Sequence, residues 1–202
     1  MKKINSLHAN SSARQQKIIA AALTCFTEKG YTETSIADIC NASAASTGSV
    51  YHHFRSKNGV AIAIYLEGIR DYQNGMVKTL SAHADARAGI FAVVDYHLRW
   101  VSRNPAWARF LFEYRHAEFM SDAEDAMKGL NTEFSKGMGE WFGRHIQAGD
   151  LKRLPKDVII ALLLGPCQEF SRLYIAGHAE TAVPEASQAI AEGAWISLKR
   201  DA

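Results

Sequence analysis

Residues 43–57 read Ser-Ala-Ala-Ser-Thr-Gly-Ser-Val-Tyr-His-His-Phe-Arg-Ser-Lys, and no other run constrains the fold as tightly. The run packs a helix start, a glycine, short hydroxyls, an aromatic hydroxyl and a lysine into one segment. Those groups suit a helix end pressed against a phosphate backbone. Two helical patterns precede it, so it reads as the recognition end of a helix-turn-helix. Arg14–Lys29 carries Ile18, Ile19, Ala22, Leu23 and Phe26 at helical spacing, and Gly30 is a natural left-handed stop. Thr34 or Ser35 can cap a second helix, with Asp38 in its first turn opposing the positive end of the dipole. That helix turns Ile36 and Ile39 inward and runs out near Asn41 and Ala42. Ser46 can cap the third helix, whose first turn of Thr47, Gly48 and Ser49 is short enough for close approach. Val50 and Phe54 lie four apart and face the core, which leaves Tyr51 and His52 outside. Lys57 begins the next helix, where a cation opposes the dipole, and a neighbouring phosphate would resolve that conflict.

From Arg14 to Val60 the chain resembles the DNA-binding domain of the tetracycline-repressor (TetR-like) family. The resemblance rests on Ile18-Ile19-Ala20-Ala21-Ala22, Phe26, Lys29-Gly30-Tyr31, Thr34-Ser35-Ile36, Asp38-Ile39, the run Gly48 to Phe54, and Ser56-Lys57. It covers about a quarter of the chain. One position departs: the family usually has glycine between its second and third helices, and Ala44 stands there. An alanine with positive φ costs on the order of 1 kcal/mol, unless the turn takes another geometry. The resemblance implies DNA contacts from Thr34, Ser35, Ser46, Thr47, Gly48, Ser49, Tyr51, His52 and Lys57. Tyr51 and Lys57 are expected on the phosphate backbone. Thr47 and Ser49 are expected on base edges, with Gly48 admitting the turn to the groove.

The remainder is also helical, and no strand-like alternation of any length occurs, so the chain is all-α. About nine helices are expected: a three-helix DNA-binding domain, 1–57, then a helical ligand-binding and dimerisation domain, 58–202. The fourth helix runs near Asn58 to Leu80 and the fifth near 88–103, with 81–88 a loop or a fresh helix start. Asn104-Pro105 ends the fifth helix and Pro105 starts the sixth. Ser121 can cap a long seventh helix that ends around Gly149. Pro155 opens an eighth, 156–177, and Pro184 a last one, to about 199. Residues 1–12 are polar and expected to be mobile. Residues 1–60 hold seven Lys and Arg against three Asp and Glu, a net +4, while the rest nets −2. A basic first quarter on a slightly acidic body suits a nucleic-acid reader joined to something else.

Val158, Ile159, Leu162, Leu163 and Leu164 make the eighth helix apolar around much of its circumference, so it needs cover on more than one side. The last helix adds Ile190, Ala194, Trp195 and Leu198. In the family the last two helices pair with their copies, which implies a homodimer through Leu162, Ile190, Trp195 and Leu198. Gly165-Pro166 interrupts the eighth helix, either opening a gap into the body or merely bending it. The body is rich in amphipathic rings, and a cavity of the family's kind would be apolar and aromatic. The expected lining is Trp100, Tyr114, Trp141, Gln168 and Phe170, around a small apolar or aromatic effector.

No Gly-rich phosphate loop, Gly-x-Ser-x-Gly or His-Glu-x-x-His occurs, so no enzyme chemistry is read and no cofactor is expected. Adjacent His52 and His53 point about 100° apart on a helix and chelate a metal poorly. Cys25, Cys40 and Cys167 have no metal spacing and form no disulfide framework, which fits a reducing cytoplasm. No secretory signal is read, and the apolar stretch 158–166 is too short for a bilayer. The expected partners are double-stranded operator DNA, a small effector and a second copy. The alternative is a nucleoid or division-type factor whose second domain docks a protein instead.

Overall fold

The helical periodicity of the sequence carries through to the computed structural model, which describes residues 2–201 and the side chains of 13–201. Nine α-helices and one 3₁₀ turn are present among the described residues. In chain order they are α1 (Lys2–Lys29), α2 (Ile36–Ser43), α3 (Thr47–Phe54), α4 (Lys57–Ser81), α5 (Ala86–Arg103) and α6 (Pro105–Glu113). The 3₁₀ turn Glu118–Ala123 follows, then α7 (Glu124–Ala148), α8 (Lys156–Ile175) and α9 (Val183–Leu198). α1 therefore begins well before Arg14. The expectation of mobility for 1–12 falls on residues whose side chains, and Met1 altogether, lie outside the described set. Ser121 is not a cap: it sits inside the 3₁₀ turn and donates to the Glu118 carbonyl (2.8 Å). α8 is continuous through Pro166, so of the kink or break expected at Gly165-Pro166 the break does not form.

The chain packs as two compact units, residues 1–69 with 106–124 and residues 70–105 with 125–202. Ring packing holds residues 106–124 to the first unit. Phe110 of α6 stacks on Phe26 of α1, with centroids 6.0 Å apart. Tyr114 and Phe119 both pack on Tyr31, and the Tyr114 hydroxyl accepts the Tyr31 backbone N–H (3.2 Å). A β-carbon on Gly68 would lie 2.5 Å from the Trp107 ring, so α4 and α6 touch there only because Gly68 has none. The sequence spacing of Ile18, Phe26, Ile39, Val50, Val60 and Ile64 delivers these side chains to one buried core. Each such side chain contributes roughly 1.5–3 kcal/mol by leaving water.

In the second unit α5 packs on α9 and α8. Its core holds Met76, Leu80, Ile90, Val94, Leu98, Met138, Trp141, Phe142, Leu163 and Leu198. Trp141 is held in place by donating its Nε1–H to the His83 carbonyl (2.8 Å), while Gly89 leaves room for its ring. Gly149, at φ 85, stops α7 as its sequence position implied. Asp150 then bonds His145 Nδ1 (2.7 Å), and Lys152 N–H donates to the Leu198 carbonyl (2.9 Å), which ties the α7–α8 loop to the end of α9.

Candidate nucleic-acid interface

The first unit is built to hold α3 at a fixed angle. Ser35 caps α2 with a complete capping box: its hydroxyl accepts the Asp38 N–H (3.1 Å), and the Asp38 carboxylate accepts the Ser35 N–H (2.8 Å). The Lys29 ammonium (2.5 Å), together with the Ser35 hydroxyl and amide, holds the Asp38 carboxyl well below the usual carboxylate range. α2 ends at Ala44, which is in the left-handed region at φ 52, ψ 33. The Ala45 N–H returns to the Cys40 carbonyl (3.2 Å), so the turn keeps its geometry without glycine. Ser46 then caps α3 by accepting the Ser49 N–H (3.2 Å). Val50 and Phe54 are buried and fix the helix's inner face.

What α3 leaves outside is the informative part. Thr47, Gly48, Tyr51 and His52 are exposed at i, i+3 and i+4 spacing, so they share one face. Tyr51 is 49% exposed, with a large ring in water and no intramolecular partner for its hydroxyl among the described residues. A β-carbon on Gly48 would meet nothing within 4 Å, so the space in front of it is open to a partner. This is a short polar helix face on a rigid three-helix core, and it can enter a major groove about 12 Å wide.

Two residues expected at that surface are engaged within the chain. Thr34 is 1% exposed, and its hydroxyl lies 2.7 Å from the Gly30 carbonyl and 3.1 Å from that of Cys25, so it locks the α1–α2 turn. Lys57 donates to the carbonyls of Tyr31 (2.9 Å), Thr32 (3.2 Å) and Thr34 (3.0 Å), with its ammonium 4.5 Å from the Tyr31 ring centroid. Three carbonyls thus partner a cation at a helix start. The Tyr31 hydroxyl also bonds Asn58.

The five residues expected to line an effector cavity do not converge. Trp141 is core, and Trp100 donates to Asp71 (2.8 Å) within a filled ring cluster with Tyr72. Tyr114 belongs to the other compact unit. Gln168 is exposed, and Phe170 is half-buried against Tyr174. His97 is engaged at both nitrogens: Nδ1 meets the Tyr72 hydroxyl (2.6 Å) and Nε2 meets Ser171 Oγ (3.1 Å), and burial pushes the imidazole pKa down to about 4. Burial likewise pushes the neighbouring Cys167 thiol up to about 12.

A groove of about 230 Å³ lies instead between α7 and α8. Phe134, Met138, Phe142, Ile159 and Leu163 give it apolar walls. Gly139 and Gly143, one turn apart, leave it unfilled: a β-carbon on either would meet nothing within 4 Å. Lys156 stands at its rim with Nζ 2.6 Å from Ser135 Oγ.

Of the four expected interface residues, Leu198 is 2% exposed and belongs to the single-chain core. Leu162, Ile190 and Trp195 are half-buried. The exposed apolar side chains nearest them are Val158, Ile160 and Ile196, the last 60% exposed. Only 28% of the apolar stretch of α8 is buried within the chain, although its length and hydropathy would suffice for a membrane span.

Residues 18–64 match the bacterial regulatory proteins of the tetR family. The transcriptional repressor KstR2 of Rhodococcus jostii is 30% identical over 128 residues, 62% of this chain and 62% of its own. The chain thus spans less than two-thirds of that relative's length. A TetR family transcription regulator from Marinobacter aquaeolei superposes with a TM-score of 0.78 at 14% identity, over 96% of this chain and all of its own. The chain is TetR-like. The Bacillus subtilis regulator FadR, solved in complex with stearoyl-CoA, shares the fold with a TM-score of 0.76 at 17% identity, over 89% of this chain and 96% of its own.

Within this TetR-like fold, sequence reasoning missed two residues at the α3–α4 junction. A β-carbon on Gly59 would fall 1.9 Å from the Phe54 carbonyl oxygen, so only glycine lets α4 start this close to the end of α3. Arg55 bridges the helices at φ 67. The signal was the spacing itself, since two residues between helices force a backbone reversal that few conformations supply.

Proposed function

We propose that this TetR-like chain is a dimeric transcriptional repressor that holds operator DNA through α3 and is released by a small apolar or amphipathic effector. One observation carries the DNA reading: the exposed Thr47-Gly48-Tyr51-His52 face of α3, with its opposite face fixed by Val50 and Phe54. Thr47 and Ser49 would meet base edges and Tyr51 the backbone, while Ser35 and Ser46 present capped helix starts toward phosphates.

Dimerisation is supported by the uncovered apolar surface of α8 and α9 at Val158, Leu162, Ile190, Trp195 and Ile196. Two copies joined there would offer two α3 helices to successive major grooves, about 34–36 Å apart. An effector would act by preferring the dimer whose α3 helices miss that spacing, and a ligand with equal affinity for both forms would shift nothing. The α7–α8 groove is the candidate effector site. Its apolar walls suit a hydrocarbon chain, each buried methylene being worth about 0.8 kcal/mol, and Lys156 at the rim suits an anionic end. The stearoyl-CoA bound by FadR is a ligand of that shape. Against this stands the packing of Tyr72 on Trp100 and His97, buried rings among those expected to line a cavity, which favours the alternative of a body that docks a protein.

The test is operator release measured by fluorescence anisotropy during titration with decanoate or decyl alcohol. DNA release by decanoate that is lost in Gly139→Leu, with DNA affinity unchanged in that variant, supports the groove. Binding of decanoate to Gly139→Leu as tightly as to the unmodified chain moves the effector elsewhere. Failure of every amphiphile to bind advances the docking alternative.

A further inference from the structure

Arg55 lies at the point where α3 must reverse into α4 within two residues. Its backbone sits at φ 67, ψ −35, and the Ser56 N–H donates to the Phe54 carbonyl at 2.8 Å. That hydrogen bond across three residues, with positive φ at the centre, is the rare and strained form of the γ-turn. Five described residues have positive φ; three are glycines, Ala44 ends α2, and the fifth is this arginine. A glycine would occupy the turn without strain, since a side chain at positive φ crowds the following carbonyl. Strain held at one residue points to a demand on its side chain.

No described residue answers that demand. The Arg55 side chain is exposed and has no hydrogen bond or ion pair among the described residues. Its amide still bonds the Tyr51 carbonyl (2.9 Å), so its Cα ends the line begun by Thr47 and Tyr51 on the face read as the DNA surface. The other cation at this junction, Lys57, is spent on three backbone carbonyls. The α3–α4 junction therefore has one uncommitted cation, planar and able to grip a phosphate with two N–H groups.

We propose that Arg55 is the phosphate clamp of the recognition helix, and that the strained γ-turn is kept to present its guanidinium to the DNA backbone. The proposal rests on the DNA reading of α3. A phosphate contact carries no sequence information, so its loss should weaken all duplexes alike.

The test compares Arg55→Gly, Arg55→Ala and Arg55→Lys in the full chain, with a random-sequence duplex as probe. Arg55→Gly should raise the thermal midpoint by a few degrees as strain is relieved, yet lower the slope of log K against log salt by about one unit. Arg55→Ala should lose the slope without gaining stability, and Arg55→Lys should keep the slope. Opposite signs for stability and binding in Arg55→Gly are not expected of a residue that only fills a turn. An unchanged salt slope in Arg55→Gly overturns the clamp, as does a loss confined to one base position of a selected site. A wild-type chain that binds no duplex DNA defeats the underlying reading, and that result is distinct from either of these.

Discussion

Replacing Lys57 by methionine keeps most of the stem and removes the charge, and the structure gives the scale of the effect. The ammonium serves the Tyr31 and Thr34 carbonyls in half-buried bonds of 2.9 and 3.0 Å, and the exposed Thr32 carbonyl at 3.2 Å. Water can replace it at Thr32, so that bond contributes little. The other two, counted at about 1 kcal/mol each net, and the contact with the Tyr31 ring at about 0.5 kcal/mol, sum to about 2.5 kcal/mol. Lys57→Met should therefore lower the thermal midpoint by roughly 5–10 °C. Urea unfolding followed by circular dichroism gives the stability. Anisotropy with random duplex DNA, at a temperature where the variant is folded, gives the salt slope, which should be unchanged. A variant of native stability whose slope falls by one unit would refute the reasoning and return Lys57 to the phosphate backbone.

Ala44→Gly should stabilise the chain. The alanine sits exposed at φ 52, ψ 33, where a side chain costs about 1–2 kcal/mol and glycine returns about 0.5–1 kcal/mol as unfolded-state freedom. A net gain of about 0.5–1 kcal/mol should appear as a midpoint raised by about 2–3 °C in calorimetry. Stability should also fall in acid through His97. Burial holds its folded pKa at about 4 against about 6.5 unfolded, so the native state keeps the neutral ring while the unfolded chain takes up a proton. The contribution is full above pH 6.5 and shrinks by up to about 3 kcal/mol as pH falls to 4; His97→Gln should flatten that part of the urea-midpoint profile. Ile196→Glu, on the surface of a single chain, should leave helicity intact yet give monomers at micromolar concentration, because an unpaired charge inside an interface costs several kcal/mol. Sedimentation of the unmodified chain as a monomer removes the dimer.

Local chemistry was legible at most helix ends, although Ser121 lies inside a 3₁₀ turn and caps nothing. Ser35 and Ser46 cap their helices, Pro105 starts α6 and Gly149 stops α7, while Ala44 takes the left-handed backbone, one of the two geometries left open for its turn. Contacts between distant residues were not legible. Lys57 finds carbonyls 23–26 positions earlier, and nothing in its own helix hints at them. Thr34 looked like a second possible cap, but its hydroxyl is drawn back to Gly30 and Cys25. The rings of Trp100 and Trp141 could equally line a cavity or fill one, and their N–H partners, Asp71 and the His83 carbonyl, are distant residues that periodicity does not reveal. The groove between α7 and α8 depends on missing side chains at Gly139 and Gly143, and helical periodicity registers only side chains that are present.

The central claim is that the first turn of α3 sits in a DNA groove, and Gly48→Leu tests it most directly. The space before Gly48 is open, so the leucine can be accommodated in the free protein, where it should cost about 1 kcal/mol or less. A duplex selected by the unmodified chain is the probe, with anisotropy at fixed salt as the readout. The account predicts a folded variant whose affinity for that duplex falls at least a hundredfold. A folded Gly48→Leu that binds it as tightly as the unmodified chain contradicts the account.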